Sequence, residues 1–169
     1  GAGRLRIGYI SPEFDVAPAT FFLDPFLQAH DRTKIEVFLY DTRREPVPAG
    51  SRRAALGEHL RDIGHLDDDA AADLIAADGL DVLVELSSHF VYSRLRVLAR
   101  RPALVQATLP QCPATTGCRE VDYLFTDRWT SPPGSEAEYI ERLQYLSCGH
   151  VIYAPPAICP PARPSPAEA

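Results

Sequence analysis

The chain contains 169 residues, of which 46% are hydrophobic and 24% charged, a composition typical of one globular domain with its own core. Its formal net charge of −6 argues against nucleic acid and anionic membranes as partners. The sequence has no methionine, no apolar run long enough for a membrane span and no signal-peptide core. We therefore expect a cytoplasmic segment of a longer, multidomain protein.

Short apolar runs typical of strands alternate along the chain with amphipathic segments typical of helices. The clearest strand, Leu80–Leu86, is rich in leucine and valine, which indicates a central strand buried on both faces. Acidic residues before Ala70 and a glycine at position 79 indicate where one helix begins and ends. In chain order we predict strands at 5–10, 35–40, 62–66, 80–86, 103–109, 121–126 and 143–146, and helices at 21–30, 52–60, 70–77 and 92–100.

This alternation predicts an α/β fold, a Rossmann-like parallel sheet with helices on both faces. We expect the lobe to span residues 4–153. Six prolines between Pro155 and Pro166 predict that residues 154–169 form a linker or tail.

Ligands of parallel α/β sheets bind beyond the carboxyl ends of the strands. This rule selects the segments 11–22, 87–94 and 109–117 and the position of Asp127, which we expect to converge at one edge of the sheet. The four cysteines do not follow the CxxC spacing of metal sites, so we expect free thiols and no metal.

Several sequence blocks resemble the O-GlcNAc-transferase family in their order and spacing. The blocks are Leu5–Ser11, Phe26–Arg32, Glu36–Tyr40, Asp78–Leu86, Arg101–Gln106, Thr115–Gly117, Asp122–Asp127 and Ser131–Pro133. The resemblance implies the GT-B architecture, in which two Rossmann-like lobes face each other across a cleft. It also implies that this chain is the N-terminal lobe, and that a second lobe after the proline-rich tail supplies most contacts to uridine diphosphate.

The segments that resemble the family's site motifs depart from the family pattern. A histidine-proline pair usual in the family reads Ala17-Pro18 here, and Ala17 cannot accept a proton. A second family histidine falls at Phe21. The family's Asp-Leu-x-Gly-His-Thr reads Glu85–Phe90, which keeps a histidine but lacks the glycine and the threonine, and its Trp-Leu-Gly-Tyr-Pro-Gly reads Leu109–Ala114. We therefore assign no catalytic residue.

Four residues are candidate substrate contacts, each with a plainer alternative. His89 contacts donor or acceptor in the cleft, or is an ordinary surface histidine. Arg94 matches a family arginine and holds an anion, or forms a salt bridge on the helix surface. Thr115 and Thr116 offer hydroxyl and N–H groups to a phosphate, or cap the segment that follows.

Three carboxylates stand near the same segments. Asp122 and Asp127 flank a predicted strand, and Glu85 ends the central one. Turn formation, capping or ion pairing is the ordinary role of such residues, and catalysis is the alternative.

Two hypotheses about function follow. In the first, the chain is a degenerate O-GlcNAc-transferase-like lobe, inactive alone, that serves as a binding or scaffolding module for other domains of its parent chain or for protein partners. In the second, it is the acceptor-side lobe of an active glycosyltransferase that moves GlcNAc from UDP-GlcNAc to serine or threonine hydroxyls of proteins. We expect no cofactor, and UDP-GlcNAc enters only as the donor substrate of the second hypothesis.

Overall fold

The computed structural model describes residues 3–16, 19–45, 51, 53–109 and 114–154. Within these residues the chain forms a seven-stranded sheet in which every pair of neighbouring strands is parallel. The strands are β1 (Leu5–Ser11), β2 (Ile35–Asp41), β3 (His59–Asp62), β4 (Val82–Glu85), β5 (Val105–Thr108), β6 (Tyr123–Thr126) and β7 (Arg142–Tyr145). The helices are α1 (Thr20–Gln28), α2 (Arg53–Leu56), α3 (Asp68–Ala77) and α4 (Leu95–Leu98), and a 3-10 turn spans Glu136–Glu138.

The strand order is β3-β2-β1-β4-β5-β6-β7. The chain therefore starts in the interior of the sheet, builds outward to β3, returns to the other side of β1 and continues to β7. Loops leave the carboxyl ends of β1 and β4 in opposite directions, and such a switch point opens a crevice at that edge.

Side chains of the central strands alternate between the two faces of the sheet. Ile10 and Leu83 pack in a core with α3 and α4, whereas the adjacent residues Tyr9 and Val84 pack in a second core with α1 and α2. Each fully buried aliphatic side chain contributes roughly 1.5–3 kcal/mol. The predicted Rossmann-like parallel sheet with helices on both faces is confirmed.

The best-defined helix, α3, begins and ends at the predicted signals. The Asp67 carboxylate accepts a hydrogen bond of 2.8 Å from the N–H of Ala70, and two further acidic residues occupy the first turn. Gly79 follows the helix with φ +59°, a conformation that favours glycine.

A proline inside α1 leaves one helix carbonyl free to bind the segment that follows β7. Pro25 has no N–H, so the carbonyl of Phe21 lacks its helical donor. The N–H of Ala154 donates to that carbonyl instead, at 2.9 Å. The segment after β7 is thereby held against the first turn of α1.

Two predicted helices are shorter than expected. The predicted helix at 52–60 is wrong beyond Leu56, because His59 and Leu60 pair with Phe38 and Leu39 as part of β3, and the predicted strand at 62–66 therefore lies three residues earlier. This long-range pairing overrides the local helical pattern.

The predicted helix at 92–100 is reduced to the single turn of α4. Tyr92 and Arg101 adopt φ values of 64° and 52°, which a right-handed helix does not admit. Of the predicted linker, residues 155–169 lie outside the described residues. No helix in the described part of the chain is long and apolar enough to span a membrane.

Replacement of Gly64 by alanine tests the packing after β3. A Cβ at this position would overlap the backbone carbonyl of Arg43, which cannot move as a side chain could. We expect Gly64→Ala to lower the free energy of unfolding by roughly 1–3 kcal/mol in urea denaturation. Gly3→Ala is the matched control, because a Cβ there meets no atom within 4 Å. Equal stability of the two variants would contradict the described loop.

Candidate functional site

The carboxyl edge of the sheet collects buried polar side chains. They end or directly follow five strands: Ser11, Asp41, Glu85, Thr108, Thr126 and Asp127. A buried polar group is costly unless it is hydrogen-bonded, so the partners of these groups decide how the edge is built. The convergence of the selected segments at one edge is as the sequence predicted.

Glu85 organises the loop between β4 and α4. Its carboxylate accepts hydrogen bonds from the N–H groups of Ser87 and Ser88, both at 2.7 Å, and from the Thr108 hydroxyl at 3.2 Å. Burial raises the pKa of Glu85, and these donors oppose the shift. The carboxylate therefore joins the loop after β4 to β5, which is a structural role.

The buried carboxylate of Asp41 likewise accepts hydrogen bonds from neighbouring segments at the end of β2. The guanidinium of Arg53 forms a buried ion pair with its carboxylate, and the N–H of Arg43 donates to it at 2.9 Å. Burial raises the pKa of Asp41, while the contacts to Arg43 lower it. The pair anchors the start of α2 to the end of β2.

The two threonines predicted to face a phosphate turn inward. The hydroxyls of Thr115 and Thr116 and the N–H of Thr116 all donate to the carboxylate of Glu141, with distances of 2.8 Å for Thr115 Oγ1 and 2.7 Å for the N–H. Glu141 is buried and precedes β7. In this conformation the threonines join the β5–β6 connection to β7. Their hydroxyl oxygens also accept hydrogen bonds from the N–H groups of Gly117 and Cys118, at 3.3 and 3.1 Å.

Arg94 is engaged in structural contacts. Its guanidinium donates to the carbonyls of Ile63 and Leu66 at 2.9 and 3.0 Å and pairs with Asp68 at 3.0 Å. It connects the start of α4 to the loop before α3. An anion would have to replace one of these partners to reach it.

His89 is the candidate that remains at the surface. Its Nε2 donates to the carbonyl of Thr115 at 2.9 Å, so it joins two of the predicted segments, while the residue stays exposed. The surrounding loop contains Ser88 and Tyr92 in left-handed conformations, which occur preferentially at functional sites when the residue is not glycine. Phe90, Val91 and Tyr92 expose apolar side chains beside it.

Part of the departure from the family pattern lies outside the described residues. Ala17 and Pro18 belong to this part, as do residues 110–113 of the rewritten segment Leu109–Ala114. Phe21 lies in α1, with its ring centroid 6.5 Å from that of Tyr153. Within the described residues, no group of three or more histidine, cysteine or acidic side chains is arranged to hold a metal ion.

The sequence blocks that resemble the family most closely make structural contacts between α4 and the neighbouring strands. One guanidinium nitrogen of Arg101 donates to both carboxylate oxygens of Asp122, at 2.9 and 3.0 Å, and Asp122 also accepts from the N–H of Gln106 at 2.8 Å. The Gln106 side chain is buried and donates to the carbonyls of Leu98 and Glu120. Asp122 is thus an ion-pair residue between α4, β5 and β6.

His150 and Asp127 form a buried pair at the end of β6, which the sequence did not predict. Nδ1 and the N–H of His150 donate to Asp127 Oδ2 at 2.8 and 2.9 Å, and Oδ1 accepts from the N–H groups of Trp129 and Thr130. The hydrogen bonds from His150 are the largest cause of a strongly lowered pKa of Asp127. The two residues are far apart in sequence with no motif around them, so His150 was expected to be a solvated or satisfied core residue.

Comparison with known proteins adds the following similarities. Residues 1–154 match the family described as glycosyl transferase family 41. The protein named probable UDP-N-acetylglucosamine--peptide N-acetylglucosaminyltransferase SPINDLY of Arabidopsis thaliana is 34% identical over 167 residues, which cover 96% of this chain and 18% of that protein. The UDP-N-acetylglucosamine--peptide N-acetylglucosaminyltransferase of Caenorhabditis elegans is 32% identical over 145 residues, covering 85% of this chain and 13% of that protein.

A solved structure is similar as well. A mutant of the O-GlcNAc transferase of Thermobaculum terrenum superposes with a TM-score of 0.84 at 43% identity, covering 91% of this chain and 30% of that one. The chain thus spans less than a third of the solved chain and less than a fifth of the two curated relatives.

The inward-facing threonines can be tested through their carboxylate partner. Glu141→Gln leaves one of three donors without an acceptor, so we expect a loss of roughly 1–3 kcal/mol in the free energy of unfolding. Glu138→Gln, at an exposed position of the same segment, is expected to change it by less than about 0.5 kcal/mol. A Glu141→Gln protein as stable as the control would mean that the threonines are not held by this carboxylate.

The lowered pKa of Asp127 predicts a dependence of stability on pH. A carboxyl group whose pKa is depressed on folding stabilises the protein above its ordinary pKa of about 4, and this contribution is lost as pH falls below that value. The stability difference between wild type and Asp127→Asn should therefore be larger at about pH 5 than at about pH 3. Asp73→Asn, at an exposed position of α3, should show no such change between the two pH values.

Proposed function

Because the chain belongs to glycosyl transferase family 41, we propose that it forms the acceptor-side wall of the cleft in a two-lobed glycosyltransferase and transfers no sugar by itself. The fold is that of one α/β lobe of the GT-B architecture. We further propose UDP-N-acetylglucosamine as the donor and protein hydroxyl groups as acceptors, in keeping with the names of the two curated relatives.

The observation that carries this proposal is the position of His89. It lies at the carboxyl edge of the sheet where ligands of α/β folds bind, it is exposed, and its hydrogen bond to Thr115 fixes one ring nitrogen. Among the described residues the other ring nitrogen has no hydrogen-bond partner, and we propose that it binds a hydroxyl group of a substrate. Glu85 and Glu141 hold the two segments that this hydrogen bond joins, through the N–H groups of Ser87, Ser88 and Thr116.

The contacts of the other candidates favour an incomplete site. Arg94, Thr115 and Thr116 are already hydrogen-bonded within the lobe, so the charge of a diphosphate would have to be held from the facing lobe. With alanine at position 17, this lobe also lacks the usual proton acceptor of the family. Both features support the proposal that the lobe does not act alone.

A binding or scaffolding role is the second candidate, and a specific observation favours it. Phe90, Val91 and Tyr92 are exposed by 52, 74 and 42% next to His89, an apolar patch suited to another domain of the parent chain or to a protein partner. In this hypothesis the lobe keeps the transferase framework without its chemistry. A cytoplasmic location stays a prediction under both hypotheses.

Sugar transfer by the intact parent protein distinguishes the two functions. We expect transfer from UDP-N-acetylglucosamine to a peptide acceptor, and a fall of about tenfold or more in kcat/KM for His89→Ala, since a contact to the reacting groups is lost. His65→Ala is the matched control, because His65 is exposed in the loop between β3 and α3. Absence of both transfer and donor binding would favour the scaffolding role, and equal rates for the two variants would remove His89 from the site.

A further inference from the structure

Three apolar residues in succession are exposed in the segment that follows β7. Val151, Ile152 and Tyr153 are exposed by 55, 41 and 57%. A single exposed apolar side chain is ordinary at a protein surface, whereas an uninterrupted run of three is uncommon unless a partner covers it. The run is distinct from the exposed residues Phe90–Tyr92, which follow β4.

Contacts with the lobe hold the run at both of its ends. On one side, the N–H of Ala154 donates to the carbonyl of Phe21 at 2.9 Å. On the other side, both the backbone N–H and the ring of His150 donate to Asp127. The three apolar side chains are therefore presented from a segment that is fixed to α1 and to the end of β6.

The backbone of the run also has free hydrogen-bonding groups. The N–H and carbonyl groups of Val151, Ile152 and Tyr153 have no hydrogen-bond partner among the described residues. Water can satisfy such groups at a surface, and so can the main chain of a second polypeptide, which offers donors and acceptors of the same kind. The run thus combines apolar side chains with an unpaired peptide backbone.

Asp127 joins this run to the exposed ring of Trp129. One carboxylate oxygen of Asp127 accepts from the N–H of Trp129 and the other from the N–H of His150, each at 2.9 Å. Trp129 is the single tryptophan of the sequence, and it is exposed by 67% at the carboxyl edge of the sheet. Trp129 together with Val151–Tyr153 is named the Trp129 surface below.

A guanidinium group without a carboxylate partner lies on this surface. The central carbon of the Arg128 guanidinium is 5.1 Å from the centroid of the Trp129 ring, and Arg128 is exposed and forms no salt bridge within the described residues. Guanidinium groups bind carboxylates in strong, charge-assisted hydrogen bonds. Tryptophan, tyrosine and arginine are also the residues most enriched where proteins bind one another tightly.

We propose that the Trp129 surface binds an acidic polypeptide segment. Apolar side chains of the segment cover Val151–Tyr153, its main chain pairs with the free backbone groups of the run, and one of its carboxylates binds Arg128. The proposal does not rest on sugar transfer.

A cavity beside the run can receive one apolar side chain of the bound segment. The cavity has a volume of about 270 Å³ and is lined by Val151 and Ile152 on one side and by Phe22 and Phe26 of α1 on the other. Its lining residues are mostly apolar and include no carboxylate, lysine or arginine. Burial of an apolar side chain there removes apolar surface of both partners from water.

The test uses three short peptides and the fluorescence of Trp129. The acidic probe is Ac-Asp-Leu-Val-Leu-Asp-amide, the second peptide replaces both aspartates by lysine, and the third is the acidic probe with its valine and second leucine N-methylated. We expect the acidic probe to shift the fluorescence and to bind about tenfold more tightly than the lysine peptide, because Arg128 gains a counter-charge. The N-methylated peptide should bind about tenfold more weakly than the acidic probe, because it has lost main-chain donors.

Substitutions at exposed positions test the same contacts. Arg128→Gln should remove the advantage of the acidic probe over the lysine peptide, whereas Arg119→Gln, at an exposed arginine of the β5–β6 connection, should retain it. Val151→Ser should weaken binding of the acidic probe about fivefold, and Leu104→Ser, at a position that is 73% exposed before β5, should leave it unchanged. Thermal melting checks that all four variants are folded.

The proposal is overturned if the acidic probe does not bind, if the lysine peptide binds as tightly, or if the two arginine variants behave alike. Light scattering that shows a dimer dissociated by Val151→Ser would assign the surface to a second copy of this chain instead. Calorimetry that detects binding of the acidic probe to this chain and not to the intact parent protein would assign it to a contact within the parent, and would overturn the proposal as well.

Discussion

The pairing of β1 between β2 and β4 is the constraint from which the rest of the lobe follows. Seven residues of β1 pair with β2 on one side and four pair with β4 on the other. Both faces of the strand are covered as well, so β1 can satisfy its backbone and bury its side chains only inside a parallel sheet. All strands of the sheet point the same way, so the loops that follow the strands emerge at one edge.

At that edge, buried carboxylates hold the loops in place through hydrogen bonds and ion pairs. Glu85, Asp41, Glu141 and Asp127 each sit where burial is costly, and each collects N–H, hydroxyl, guanidinium or imidazole donors from neighbouring segments. These acids join described parts of neighbouring loops to one another. These contacts use the donors of the described loop residues within the lobe, whereas His89 stays exposed at the same edge.

The residues that resemble the transferase family most closely make structural contacts in this chain. The pairing of Arg101 with Asp122 and the bonds of Gln106 join helix and strands, and they belong to the blocks that resemble the family best. Packing of this kind preserves a fold whether or not the site is active.

The sequence by itself determined the α/β class, the buried strand β4, the acidic start of α3 and its end at Gly79, because each depends on periodicity or on residues within one turn. Only the tertiary structure decided that residues 59–62 form a strand, since β2 supplies their hydrogen bonds. It alone turned Thr115 and Thr116 toward Glu141 and brought His150 to Asp127. Contacts between residues more than twenty positions apart leave no pattern in a single sequence, so the side chains that organise this edge become visible only once the sheet has formed.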